Sequence, residues 1–265
     1  MEPAGNPAFS PAPLVTAATL ELHSSPTQRV GWGFITLDTL AFMSTSLLFL
    51  APLLVTLALK VNALVGIQEA PGSLALVAGT GALLAMFANP IFGKTSDRTS
   101  SPFGMRRPWM VIGLVGGSVG ILIVALAPNI TILLLGWCIA QLLFNALLAA
   151  MVAVLPDQVP IGQRGLISGI LGVGMPVASV SATFVVKLFT GNELAMFLVP
   201  CALAGCFILL FAVTLNDRRL APEDKPAWSL REIASTFYVN PRKSPDFAWA
   251  FASRLLFVLD RKSVV

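Results

Sequence analysis

Long apolar runs alternate with short polar breaks along this chain, and the length of the runs is their informative property. Six stand out, at about 31–59, 74–92, 109–127, 130–155, 165–188 and 194–215. Each is near the ~20 residues that an α-helix needs to cross ~30 Å of hydrocarbon. The pattern predicts an all-α polytopic membrane protein with a six-helix transmembrane bundle over residues 30–215.

The polar breaks are unequal. Segments 60–73, 128–129 and 189–193 carry few charges, whereas 93–108, 156–164 and 216–246 hold most of them. Sorted by side, Arg29, Lys94, Arg98, Arg106, Arg107, Arg164, Arg218, Arg219, Lys225, Arg231, Arg242 and Lys243 fall together, against Lys60 and Lys187. Cytoplasmic loops carry the excess of Lys and Arg, so this bias places the N-terminus and the Asp97 loop inside. The expected location is the cell membrane, multi-pass, with the lipid bilayer as the surrounding partner.

The flanks read differently. Residues 1–29 hold Pro3, Pro7, Pro11 and Pro13, with Glu2 as first charge and no apolar block of signal-peptide type. They are expected to form a disordered cytoplasmic tail. Residues 216–246 form a Pro- and charge-rich central cytoplasmic loop, of the kind that separates two halves of a membrane protein. The next apolar stretch, about 247–259, contains Arg254 and is closed by Asp260, Arg261 and Lys262. It is too short to cross, so 247–265 reads as the truncated start of a seventh helix, and the chain as a truncated or frameshifted fragment.

Composition supports the pattern. Hydrophobic residues make up 56%, charged residues 11%, and the mean hydropathy is +0.82. Soluble domains have charges at roughly a quarter of positions. The net charge of +4 does not indicate nucleic acid, because the cations sit in loops rather than on one face. Cys138, Cys201 and Cys206 lie within apolar runs without metal spacing, and the single His23 lies in the tail. No nucleophile–base pair, phosphate loop, metal cluster or cofactor motif is apparent, so an enzyme is not expected.

A few polar residues inside the spans carry the candidate chemistry. Asp38 lies about two turns into the first span, where an ionised carboxylate is costly unless paired or facing water. It is a candidate for coupling a proton or cation; alternatively it reaches interfacial water. Gln141 and Asn145, four apart on the fourth span, share one helix face. Amides supply both donors and acceptors, which suits a polyhydroxylated solute, so Gln141, Asn145 and Asn89 are the candidate solute contacts; they also serve as interhelical hydrogen bonds, the reading that Asn89 favours. Gly165, Gly169, Gly172 and Gly174 of the fifth span, at small-residue spacing, are expected to let helices approach closely.

The most distinctive segment is Gly93-Lys94-Thr95-Ser96-Asp97-Arg98, closed by Gly104-Met105-Arg106-Arg107-Pro108. Six spans with this Gly-x-x-x-Asp-Arg…Arg-Arg turn after the second resemble the N-terminal half of the major facilitator superfamily. The insertion of Thr99 to Phe103, and Leu155-Pro156-Asp157-Gln158 followed by Arg164, look like the sugar-cation symporter branch, the glycoside–pentoside–hexuronide and sucrose:proton transporters. The resemblance implies twelve helices in two bundles with the solute between them. The chain would supply the first bundle and lack the C-terminal one. The resemblance also implies that Asp97 caps and pairs with a helix of the other bundle, holding a cytoplasmic gate shut. Gly93, Arg98, Gly104, Arg106 and Arg107 would surround it, joined by Asp157 and Arg164. The functional expectation is a secondary active transporter for a sugar or similar small polar solute, coupled to protons or sodium. The alternative is a non-transporting membrane scaffold or assembly protein that reuses the bundle.

Overall fold

The computed structural model describes residues 26, 28–220, 248–253 and 256. The expectations for the tail before residue 26 and for residues 221–247 lie outside the described residues. Residues 248–253 are helical and belong to a separate unit from the bundle.

Six helices are long and apolar enough to cross a membrane: α1 (Trp32–Val65), α2 (Ala70–Asp97), α3 (Arg107–Leu126), α4 (Ile130–Gln158), α5 (Ile161–Leu188) and α6 (Glu193–Thr214). All six apolar runs appear as helices, and no strand occurs among the described residues. Several helices run past the apolar stretch. α2 extends through Lys94, Thr95, Ser96 and Asp97, so the connecting loop is residues 98–106. Helical hydrogen bonding does not stop where hydropathy falls, and Lys94 in the last turn suits the negative end of the helix dipole.

Local chemistry explains the ends and the irregularities. Asn129 caps α4 by accepting from the Ile132 amide at 2.9 Å, and Asn192 caps α6 by accepting from Ala195 at 3.1 Å. Pro52 interrupts α1, and the helix absorbs it as a π-helical turn, Pro52–Thr56, where the Leu57 amide donates to the Pro52 carbonyl. Pro90, Pro156, Pro176 and Pro200 all lie inside helices that continue through them.

α4 occupies the centre. It packs against α3 and α2, while α1 packs against α5 and α6, and α3 against α6. One buried cluster includes Leu48, Leu57, Met110, Ile121, Trp137, Phe144 and Phe211. The α3–α4 contact is a glycine seam. A Cβ on Gly120 would lie 2.5 Å from the Ala140 amide nitrogen and 2.8 Å from the Gly136 carbonyl oxygen; on Gly113 it would lie 2.6 Å from the Leu143 carbonyl oxygen. These helices meet backbone to backbone, which only glycine permits. The expectation for α5 is corrected here: Gly165, Gly169 and Gly172 have open space where a Cβ would stand, and only Gly174 meets a neighbour, Met43. Their spacing is that of a packing motif, but their face has no helix against it within this bundle.

Candidate functional site: an arginine-centred cluster and buried polar residues

At the end of the bundle where α2 stops and α3 begins, one side chain organises the others. Arg106 is 4% exposed and precedes α3. Its Nε donates to Asp157 Oδ2 at 2.8 Å, its Nη1 to Ser96 Oγ at 2.8 Å, and its Nη2 meets Asp97 Oδ1 at 2.6 Å. Three helices are thereby joined: α2 through Ser96 and Asp97, α3 through Arg106, and α4 through Asp157. Burial alone would lower the Arg106 pKa. The hydrogen bond and charge of Asp157, followed by those of Asp97, outweigh it and raise the pKa above the ordinary arginine value. The guanidinium stays charged and the cluster holds one cation between two carboxylates.

A fourth helix end joins through a residue that the sequence reading did not single out. Asp217, just past α6, accepts at Oδ2 from the backbone amides of Arg106 at 2.7 Å and Arg107 at 2.9 Å. The carboxylate thus satisfies orphan donors at the start of α3, where the helix dipole favours negative charge. Gly104 makes this approach possible. It has φ of +107°, and a Cβ there would run into the Asp217 side chain. Arg107 donates through Nη2 to the carbonyls of Val213, at 3.3 Å, and Leu215, so α3 and α6 are tied twice. The only signal for Asp217 in the sequence is an acid beside Arg218 and Arg219 at the polar end of the sixth span.

The other loop residues fall in different places. A Cβ on Gly93 would meet no neighbouring atom within 4 Å. Arg98 is buried, 9% exposed, immediately after α2. Arg164 does not pair with Asp157. Its Nε donates to the Val159 carbonyl at 3.0 Å and its Nη2 to that of Pro156 at 3.0 Å, which satisfies the last carbonyls of α4 from α5.

Within the spans, Asp38 is 2% exposed, and no hydrogen bond or ion pair engages it among the described residues. Ala41, Thr45 and Leu48 continue its face along α1 and are equally buried. Gln141 and Asn145 come together as their spacing requires: Asn145 Nδ2 donates to the Gln141 carbonyl at 2.7 Å and approaches its Oε1 at 3.4 Å. Trp137, one turn earlier on that face, presses on Gly81 of α2, and its buried indole Nε1–H has no acceptor. The sequence reading missed Trp137, although the i, i+4, i+8 spacing of Trp137, Gln141 and Asn145 would have placed it. Asn89 is half-buried in α2, directly before Pro90.

The opposite end has its own tie. Lys60 of α1, 9% exposed, donates to the Ala125 carbonyl of α3 at 2.8 Å and pairs with Glu193 of α6 at 2.8 Å. Among the described residues, no group of three or more His, Cys, Asp and Glu is arranged to hold a metal ion.

Six apolar helices, closed at each end by charged ties, define a multi-pass membrane protein. The family model of the Major Facilitator Superfamily matches residues 12–259. The chain belongs to that superfamily, whose members are transporters rather than enzymes. No curated protein matches the sequence.

Proposed function

We infer that the protein is a secondary active transporter for a sugar or similar polar solute, driven by a proton or sodium gradient. The observation that carries this reading is Asp38, a carboxylate buried inside a span with no hydrogen-bond or ion-pair partner among the described residues. Such a group is costly in the bilayer, and taking up a proton or a cation removes the cost. Trp137, Gln141 and Asn145 are the solute contacts in this reading, because the stripe offers amide donors and acceptors beside an unsatisfied indole N–H. The resemblance of the 93–108 segment to sugar-cation symporters supports the choice of solute. Asn89 is assigned to helix packing rather than to the solute.

Asp97, Arg106, Asp157 and Arg98 form the cytoplasmic gate, with Gly104 and Asp217 holding Arg106 and Arg107 in position. A second bundle faces this one, and rocking of the two about the solute gives alternating access. The protein resides in the cell membrane with its N-terminus in the cytoplasm, a reading that the lysine and arginine bias supports.

Uptake of labelled disaccharide into proteoliposomes containing the protein tests the reading. Collapse of the proton or sodium gradient should abolish accumulation. Asp38→Asn should abolish gradient-driven uptake while leaving solute exchange between the two sides. Uptake indifferent to both gradients would overturn the assignment.

A further inference from the structure

The outer face of the α3–α6 seam holds a hollow of about 430 Å³ at the Asp97 end of the bundle, lined by Ser101, Phe103, Arg107, Ile112, Leu209 and Val213 among others. Its walls are apolar and face outward: Ile112 is 51% exposed, Leu209 42% and Val213 75%. A second hollow of about 350 Å³ takes up the same seam further along, between Val115 and Ser118 of α3 and Leu198 and Gly205 of α6. From Pro108 to Leu122 this is roughly 20 Å of helix axis. That is more than one leaflet's share of a ~30 Å hydrocarbon core, so the seam has room for a whole acyl chain.

The mouth of the seam is polar and cationic. Arg107 stands in its wall; Nη2 is engaged by carbonyls, but Nε is buried without any acceptor. Arg218 and Arg219 are exposed nearby, where the Arg218 carbonyl accepts from the Met105 amide at 3.1 Å. The acids of this end are already occupied. Asp217 is held by two backbone amides, and Asp97 and Asp157 by Arg106. Among the described residues, no carboxylate forms an ion pair with Arg107, Arg218 or Arg219.

The geometry points to a bound anionic phospholipid, with its headgroup phosphate at Arg107 and Ser101 and one acyl chain laid along the α3–α6 seam. Basic pockets at the ends of spanning helices favour anionic headgroups over zwitterionic ones. The apolar seam distinguishes such a lipid from a free anion, because only an amphiphile fills both parts. The assignment requires the protein to be in a membrane but does not depend on its being a sugar transporter.

The test uses the full chain, delipidated in mild detergent and titrated with phosphatidylglycerol or phosphatidylcholine, with bound lipid counted by native mass spectrometry. One phosphatidylglycerol should be retained in preference to phosphatidylcholine. Arg107→Gln should weaken it about five-fold, the effect of one cation at a membrane surface. Because Arg107 also ties α6, Ile112→Trp provides a second variant: it fills the seam from an exposed position and should remove the bound lipid without lowering the melting temperature. Equal retention of phosphatidylcholine would overturn the assignment, as would unchanged binding in both variants. Displacement by inorganic phosphate as effective as by lipid would also overturn it, since the anion alone would then suffice.

Discussion

α3 and α5 are both glycine-rich helices, yet they stand in opposite situations. Gly113, Gly116, Gly117 and Gly120 of α3 are pressed against α4, with backbone or side-chain atoms where a Cβ would go. Gly162, Gly165, Gly169 and Gly172 of α5 meet nothing. The ends differ as well. α3 is held at its start by Asp217 and the Arg106 cluster, and at its far end Lys60 binds the Ala125 carbonyl. α5 is held by Arg164 on the end of α4 and by Gln163, which accepts from the Val30 amide at 2.9 Å. Only 22% of the α5 apolar window is buried and 17% of that of α2, against 44% for α3 and 50% for α4. The bundle thus has an inner wall that cannot shift without breaking backbone contacts, and peripheral helices free of that constraint. α2 and α5 bury the smallest share of their apolar surface within the bundle.

Substitutions can break this contrast, beginning with the largest effect. Gly120→Leu should prevent or severely weaken folding, by more than the ~3 kcal/mol that marks serious overpacking, because the obstructing atoms are backbone. Thermal unfolding in detergent would show a large loss, and a small one would mean that the seam can open. Arg106→Gln should cost about 2 kcal/mol, because charge-assisted hydrogen bonds joining three helices are lost while the carboxylates, 57% and 27% exposed, are left to water. The same measurement with Arg164→Gln should give less than half of that, since carbonyls rather than carboxylates lose their donor. Asp217→Ala removes an N-terminal cap and should cost about 1 kcal/mol. Gly169→Ala should leave stability unchanged or raise it by up to ~1 kcal/mol, the helix-propensity difference, because the new methyl meets open space. A clear destabilisation there would show that α5 does pack against something on that face.

What was legible in the sequence follows from how local each signal is. The spans were legible because hydropathy over ~20 residues is a local sum, and all six runs became helices. The pairing of Gln141 with Asn145 was legible for the same reason, as one helical turn separates them. Asp157 and Arg164 read alike in the sequence, yet Asp157 meets Arg106 and Arg164, seven residues on, turns back to carbonyls. Sequence separation cannot tell a carboxylate from a carbonyl as the partner of an arginine. Asp217 lies 111 residues from the amide that it caps, and no window joins the two. Lys60 was legible only as a charge on the sparse side, because both its partners, Ala125 and Glu193, come from distant helices. The α5 glycines were misread because small-residue spacing states that a helix can be approached, not that one is.

The brevity of the link between α3 and α4 has a consequence for biogenesis. Three residues, Ala127, Pro128 and Asn129, separate the two helices, and Asn129 closes the turn from its own side chain. A ribosome that has released Val159 into the insertion machinery has delivered both partners of the tightest helix contact among the described residues. The pair would leave the translocon as a preassembled hairpin, and the later helices would be added to a wedge already locked in lipid.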